Sequence, residues 1–163
     1  MAFDAVDEVL AQWQKERPDL DASPMEVMGR MARLAKHLER SLEEVFSGFG
    51  LNGGEFDVLA TLRRSGPPYQ LSPTALFNSM MVSSGTMTHR IDQLEKSELV
   101  ERIPDLSDRR GTLIHLTNKG FSVIEKAVEA HVANGEKILS VLEQPDHDAL
   151  AELLRKLLVS FED

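Results

Sequence analysis

Apolar residues recur along this chain mostly at intervals of three and four, the spacing that lines one face of a helix. Phe3, Val6, Val9, Leu10 and Trp13 make the first stripe, which stops ahead of Pro18. Ser23, Pro24 and Glu26 then read as an N-cap, a first-turn proline and the acid of a capping box. The stripe they open, Val27, Met31, Leu34, Leu38, Leu42 and Val45, ends at "SGFG". Asn52 with Glu55 three residues on predicts a helix to about Arg64, stopped by "SGPPY". Ser72 and Pro73 start a short helix to about Met80, and Ser83 or Ser84 starts another to about Lys96.

The period then changes. Leu99–Ile103 and Thr112–Leu116 alternate as strands and are joined by "PDLSDRRG", which predicts a β-hairpin. Thr117 caps a further helix with Phe121, Ile124, Val128 and Val132 as its stripe, running toward Leu142 with Gly135 as a bend. "QPDHD" reads as a break before a last helix carrying Leu150, Leu153, Leu154, Leu157 and Leu158. The expected fold is mainly α, with one small β-hairpin and no internal repeat.

Two short helices followed by a hairpin form a winged helix-turn-helix pattern. On the second helix Met87, Ile91 and Leu94 make the core face, while Gly85, His89, Asp92 and Lys96 fall near the opposite pole at about 100° per residue. Its outward N-terminal half is small and hydrogen-bonding: Ser83, Ser84, Gly85, Thr86, Thr88 and His89. Such a surface suits entry into a DNA major groove, because short side chains allow close approach and hydroxyls can bond phosphates or base edges. Arg109 and Arg110 stand at the hairpin tip, where a guanidinium can reach the minor groove or a phosphate. Local pairing of one of them with Asp105 or Asp108 is the alternative at that turn.

Charge adds a constraint. The 163 residues carry a formal net charge of −9, which argues against indiscriminate nucleic-acid binding. The acid is unevenly spread. Residues 83–119 hold six bases and six acids, whereas residues 120–163 hold four and nine. The segment proposed to meet DNA is therefore the balanced one, and repulsion elsewhere limits non-specific contacts. The chain has no cysteine, and its five histidines show no metal-ligand spacing. There is no Gly-rich phosphate loop either, so an enzyme is not expected and no cofactor is implied. No apolar run suffices to span a membrane, and acids interrupt the N-terminus, so a soluble, cytoplasmic protein is expected. A helical dimerisation protein without DNA binding would explain the terminal helices but leave the Ser/Thr helix and the arginine tip idle.

The segment "DLSDRRGTLIHLTNKG" resembles the wing signature of the MarR family, in which Asp-Arg-Arg leads into a strand and Leu-Thr-x-x-Gly opens the next helix. "LNGGEFDVLATLRRSG" and "MVSSGTMTHRIDQLEKSELVER" resemble the parts of that fold preceding it, so the likeness covers about residues 51–120. It implies a single domain over 1–163, with N-terminal dimerisation and ligand-crevice helices in 1–50. The DNA-binding lobe would then occupy 51–117, and C-terminal dimerisation helices 118–163. It also implies a homodimer on a double-stranded, pseudopalindromic operator, acting as a transcriptional repressor.

Several charges lie off the expected DNA face. Asp57 and Arg64 are two turns apart, within roughly 20° of each other and about 10 Å along the axis. At that distance they are expected not to pair directly but to grip two ends of a flat, polar molecule. Arg90 lies about 60° from the centre of its helix's core face and should point sideways into the scaffold. Its rival role is a phosphate contact. Trp13 followed by "ERPDLD", then Asp57, Arg64 and Arg90, resembles the urate-responsive branch of the MarR family. That resemblance implies that these four residues hold a small anionic effector such as urate. A phenolic or carboxylate ligand could use the same two arginines.

Overall fold

A computed structural model describes residues 3–80, 87–108 and 111–162. They divide into two compact units, Met1–Glu44 and Val45–Asp163.

The first unit holds α1 (Ala5–Glu16) and the greater part of α2 (Ser23–Ser47). Asp4 caps α1 by accepting the Val6 N–H at 2.7 Å and the Asp7 N–H at 3.2 Å, and Asp7 accepts the Asp4 N–H at 2.8 Å. Ser23, expected as the cap of α2, is its first helical residue, and its N–H donates to the Asp21 carboxylate at 2.9 Å. Val6 is buried against Gly29, whose missing Cβ allows the two helices to approach. Arg30 donates to Asp4 at 2.9 Å and Asp7 at 2.8 Å and lies 3.5 Å from Glu26.

The Val6–Gly29 contact and the Arg30 guanidinium therefore both tie α1 to α2. Burial acts to raise the Asp4 carboxyl pKa, but the Val6 and Asp7 amides and Arg30 outweigh it and hold it below its ordinary value. A depressed carboxyl stabilises the fold above its unfolded pKa, and that contribution is lost as pH falls through the folded value. Arg30→Ala is accordingly expected to fray α1, removing up to 12 residues of helical signal at 222 nm, and acid should fray the wild type in the same place. Undiminished hydrogen-exchange protection of the α1 amides in the variant would refute the clamp.

In the second unit Asn52 and Glu55 form the predicted capping box of α3 (Gly53–Arg64), with bonds of 2.9 and 3.0 Å. Ser72 caps α4 (Pro73–Ser79), with Pro73 at its first position as expected. Then come α5 (Met87–Lys96), β2 (Val100–Pro104), β3 (Thr112–Leu116), α6 (Asn118–Leu139) and α7 (Gln144–Glu162). The proposed start of α5 at Ser83 or Ser84 lies outside the described residues. The hairpin is one part of a three-stranded antiparallel sheet ordered β1-β3-β2, because β1 (Gln70–Leu71) pairs its two residues with His115 and Ile114. Helix α6 runs through Gly135 without a break. "QPDHD" does not break the chain before the last helix; Gln144 begins that helix and Pro145 sits in its first turn, where a missing N–H costs nothing.

The core gathers Val58, Leu59 and Leu62 of α3, Leu76 of α4, Ile91 and Leu94 of α5, and Ile114 and Ile124 from β3 and α6. Arg63 of α3 donates to Glu125 of α6 at 2.6 Å and lies over the Tyr69 and Phe121 rings. Phe46, Phe56 and His131 pack together, with ring centroids 4.0 to 5.8 Å apart. His131 is half-buried against both rings, and its Nδ1 is buried. Helix α7 buries none of its residues: Leu153, Leu158 and Phe161 are among those left exposed.

The "LTNKG" segment fastens α6 to the end of α5. Thr117 caps α6 by accepting the Gly120 N–H at 3.0 Å, and its hydroxyl lies 2.8 Å from the Glu98 carbonyl oxygen. Its own N–H donates to the Leu99 carbonyl at 3.2 Å. Lys119 adds a bond to the Ser97 carbonyl at 2.8 Å. A Cβ on Gly120 would run into that Leu99 carbonyl oxygen, so only glycine admits the contact.

Candidate functional site

Helix α5 presents Thr88 and His89 to solvent, while Ile91 and Leu94 are buried beneath it, so its outward face is the one its periodicity predicted. Ser83, Ser84, Gly85 and Thr86 lie outside the described residues. The wing is fixed to this helix by a residue that the sequence pattern does not single out. Arg102 of β2 donates to Asp92 at 2.5 Å and also bonds Glu95, and the Arg102 N–H meets the same Glu95 carboxylate at 3.2 Å. Two acids of α5 are thereby partly neutralised, and the hairpin cannot swing without breaking charge-assisted bonds. The pairing joins residues ten apart on different elements, so no local period announces it.

The hairpin ends at Pro104 paired with Thr112. Beyond that pair the turn is organised by Asp105, whose carboxylate accepts the Ser107 hydroxyl at 2.6 Å and the Ser107 N–H at 2.8 Å. Those two bonds hold the Asp105 carboxyl below its ordinary pKa. Gly111 closes the turn, donating to the Asp108 carbonyl at 2.8 Å while its own carbonyl accepts the Asp105 N–H at 3.0 Å. Arg109 and Arg110, the tip residues, lie outside the described residues.

The charges singled out off the expected DNA face gather on one side of α3. Gly54, Asp57, Thr61 and Arg64 follow one another at three- and four-residue steps and share a face. Asp57 and Arg64 were expected to be too far apart to pair. Their nearest atoms are in fact 4.0 Å apart, because the arginine side chain reaches back along the helix. Arg64 also bonds the carbonyl of Ser79, the last residue of α4. Arg90 leaves α5 sideways, as its helical angle predicts, and its guanidinium lies against Gly54, where a Cβ would strike it. The Asp57 carboxylate is mostly buried, and its Oδ2 has no hydrogen-bond partner among the described residues. Trp13 belongs to the first unit, on α1, and is partly exposed. Among the described residues no group of His, Asp and Glu is arranged to hold a metal ion, and no helix is long and apolar enough to cross a membrane.

Residues 51–112 match the MarR family. The HTH-type transcriptional regulator PecS of Dickeya dadantii is 42% identical over 152 residues, covering 93% of this chain and 92% of PecS. Among solved structures, Sco3205, a MarR family regulator of Streptomyces coelicolor in complex with DNA, superposes with a TM-score of 0.76 at 24% identity, covering 87% of this chain and 93% of that one. Wild-type MarR from E. coli, in its apo form, gives 0.65 at 26% identity, covering 80% and 96%. The winged helix-turn-helix fold, with a hairpin pinned to α5 by Arg102, and a relative 42% identical over 93% of the chain agree on one conclusion: the chain belongs to the MarR family of winged helix-turn-helix DNA-binding transcriptional regulators.

Proposed function

We propose that the chain is a cytoplasmic repressor that binds a pseudopalindromic operator as a homodimer and is released by a small anionic aromatic ligand such as urate. The observation that carries the ligand reading is Arg90. It is rooted on the reading helix α5, yet its guanidinium lies on the face of α3 that bears Asp57 and Arg64. A ligand engaging that guanidinium acts on α5 directly. If it binds tighter to the α5 position that is wrong for DNA, it shifts the population away from the operator-bound state, and the coupling is reciprocal. Arg64 and Arg90 would take the anion, Asp57 would accept its N–H groups, and Trp13 would supply an aromatic plate.

Ser83, Ser84, Gly85, Thr86, Thr88 and His89 would meet the major groove, and Arg109 and Arg110 the minor groove or phosphate. Exposed leucines along α7 supply an apolar face of the kind a homodimer covers.

The test is a gel-shift titration on the DNA immediately upstream of this protein's own gene, with and without urate. A tight complex dissolved by urate supports both parts of the reading. A complex indifferent to urate refutes the ligand and leaves DNA binding standing. Arg90→Ala should still fold and bind the operator, but need about 10- to 100-fold more urate for release, as expected when one charge-assisted bond is removed. Release at the wild-type urate concentration would place the effector elsewhere.

A further inference from the structure

The turn between β2 and β3 is built against the usual preference of water. Leu106 is 100% exposed. Asp105 spans it by accepting the Ser107 N–H and hydroxyl, so Leu106 is the middle residue of an Asx turn and is held outward. The acids on either side go the other way. The Cβ atoms of Asp105 and Asp108 stand 2.9 and 3.2 Å from where a Cβ on Gly111 would be. Both acids therefore lie across the closure of the loop, while the only apolar side chain of residues 105–111 is left in water.

A leucine scattered on a surface is ordinary. This one shares its turn with Arg109 and Arg110, three and four residues on, where polar residues normally fill every place. From this arrangement we infer that Leu106 is a DNA contact, packing into the minor groove and selecting A·T over G·C pairs there. The inference rests on the wing meeting DNA, as proposed above, and adds what the wing reads. Phosphate contacts carry no sequence, whereas an apolar side chain responds to the shape of the groove floor. Guanine places its 2-amino group on that floor, where Leu106 would strike it and strip it of water without offering a bond. A·T pairs leave the floor clear, and leucine is among the side chains that fit there as wedges.

The experiment is a gel shift on the DNA upstream of the gene, with wild type, Leu106→Ala and Leu106→Met across a salt series. Leu106→Ala should bind about tenfold more weakly, as expected for a leucine's buried area, and Leu106→Met should keep most of the affinity. The salt slope should not change, because an apolar side chain displaces no counterions. Melting temperatures should not move either, since the side chain is fully exposed in the free protein. A·T pairs of the operator are then replaced one at a time by G·C and by inosine·C, which matches G·C in the major groove but lacks the 2-amino group. At one step or more, wild type should bind inosine·C about tenfold tighter than G·C, and Leu106→Ala should lose most of that preference. Wild-type affinity in Leu106→Ala, or a loss that comes with a shallower salt slope, overturns this inference alone. So does equal treatment of G·C and inosine·C at every step, or a preference that Leu106→Ala keeps. Failure of wild type to bind the DNA at all overturns the operator reading and this inference with it.

Discussion

Gly120→Ala should destabilise the second unit by about 3–5 kcal/mol, above the usual range for overpacking, because the atom in the way is backbone and cannot rotate aside. The Leu99 carbonyl oxygen that the new methyl would meet is already held by the Thr117 N–H. Relief therefore requires α6 to lift from the end of α5, which also breaks the Lys119 bond to Ser97. The damage should appear as a lower urea midpoint and, short of unfolding, as weakened operator binding, since α5 loses its brace. A variant within about 1 kcal/mol of wild type would show that α6 does not sit this close.

The second large effect concerns the wing. Replacing both Arg109 and Arg110 with alanine should weaken operator binding by about 1–3 kcal/mol for each arginine that touches DNA, and flatten the salt dependence by about one unit of slope for each phosphate engaged. The expectation rests on the frame around the tip. β2 and β3 are paired up to Pro104 and Thr112, Asp105 is occupied by Ser107, and Arg102 anchors the hairpin to α5. Because that scaffold is independent of the tip, the variant should keep its melting temperature. Unchanged affinity across a salt series would remove the wing from the DNA reading, and weakening confined to one base pair would mark a groove contact rather than a phosphate.

What could be read from the chain followed local chemistry. The caps at Asn52, Ser72 and Thr117 were legible because each needs only a side chain and the next three residues. The core face of α5 was legible because helical angle is arithmetic. Strand β1 was not, since two residues between a proline pair and a cap show no alternation; it exists only because β3 offers it an edge. Arg102 and Gly120 escaped for the same reason. One looked like an ordinary strand arginine and the other like a letter in a motif, and each acquires its role from a partner on another element. The Asp57–Arg64 approach does not follow from backbone spacing, because an arginine side chain reaches back along its helix.

Helix α7 carries a row of leucines and hides none of them within its own chain. On the proposed homodimer, that makes the regulator's potency a matter of dose. When copies are few, the number of paired chains grows as the square of the number made, so halving synthesis removes about three quarters of the species able to span an operator. Promoter silencing would then respond to expression level more steeply than linearly, and an effector that also loosened pairing would act twice, once on the fit to DNA and once on the supply of dimers.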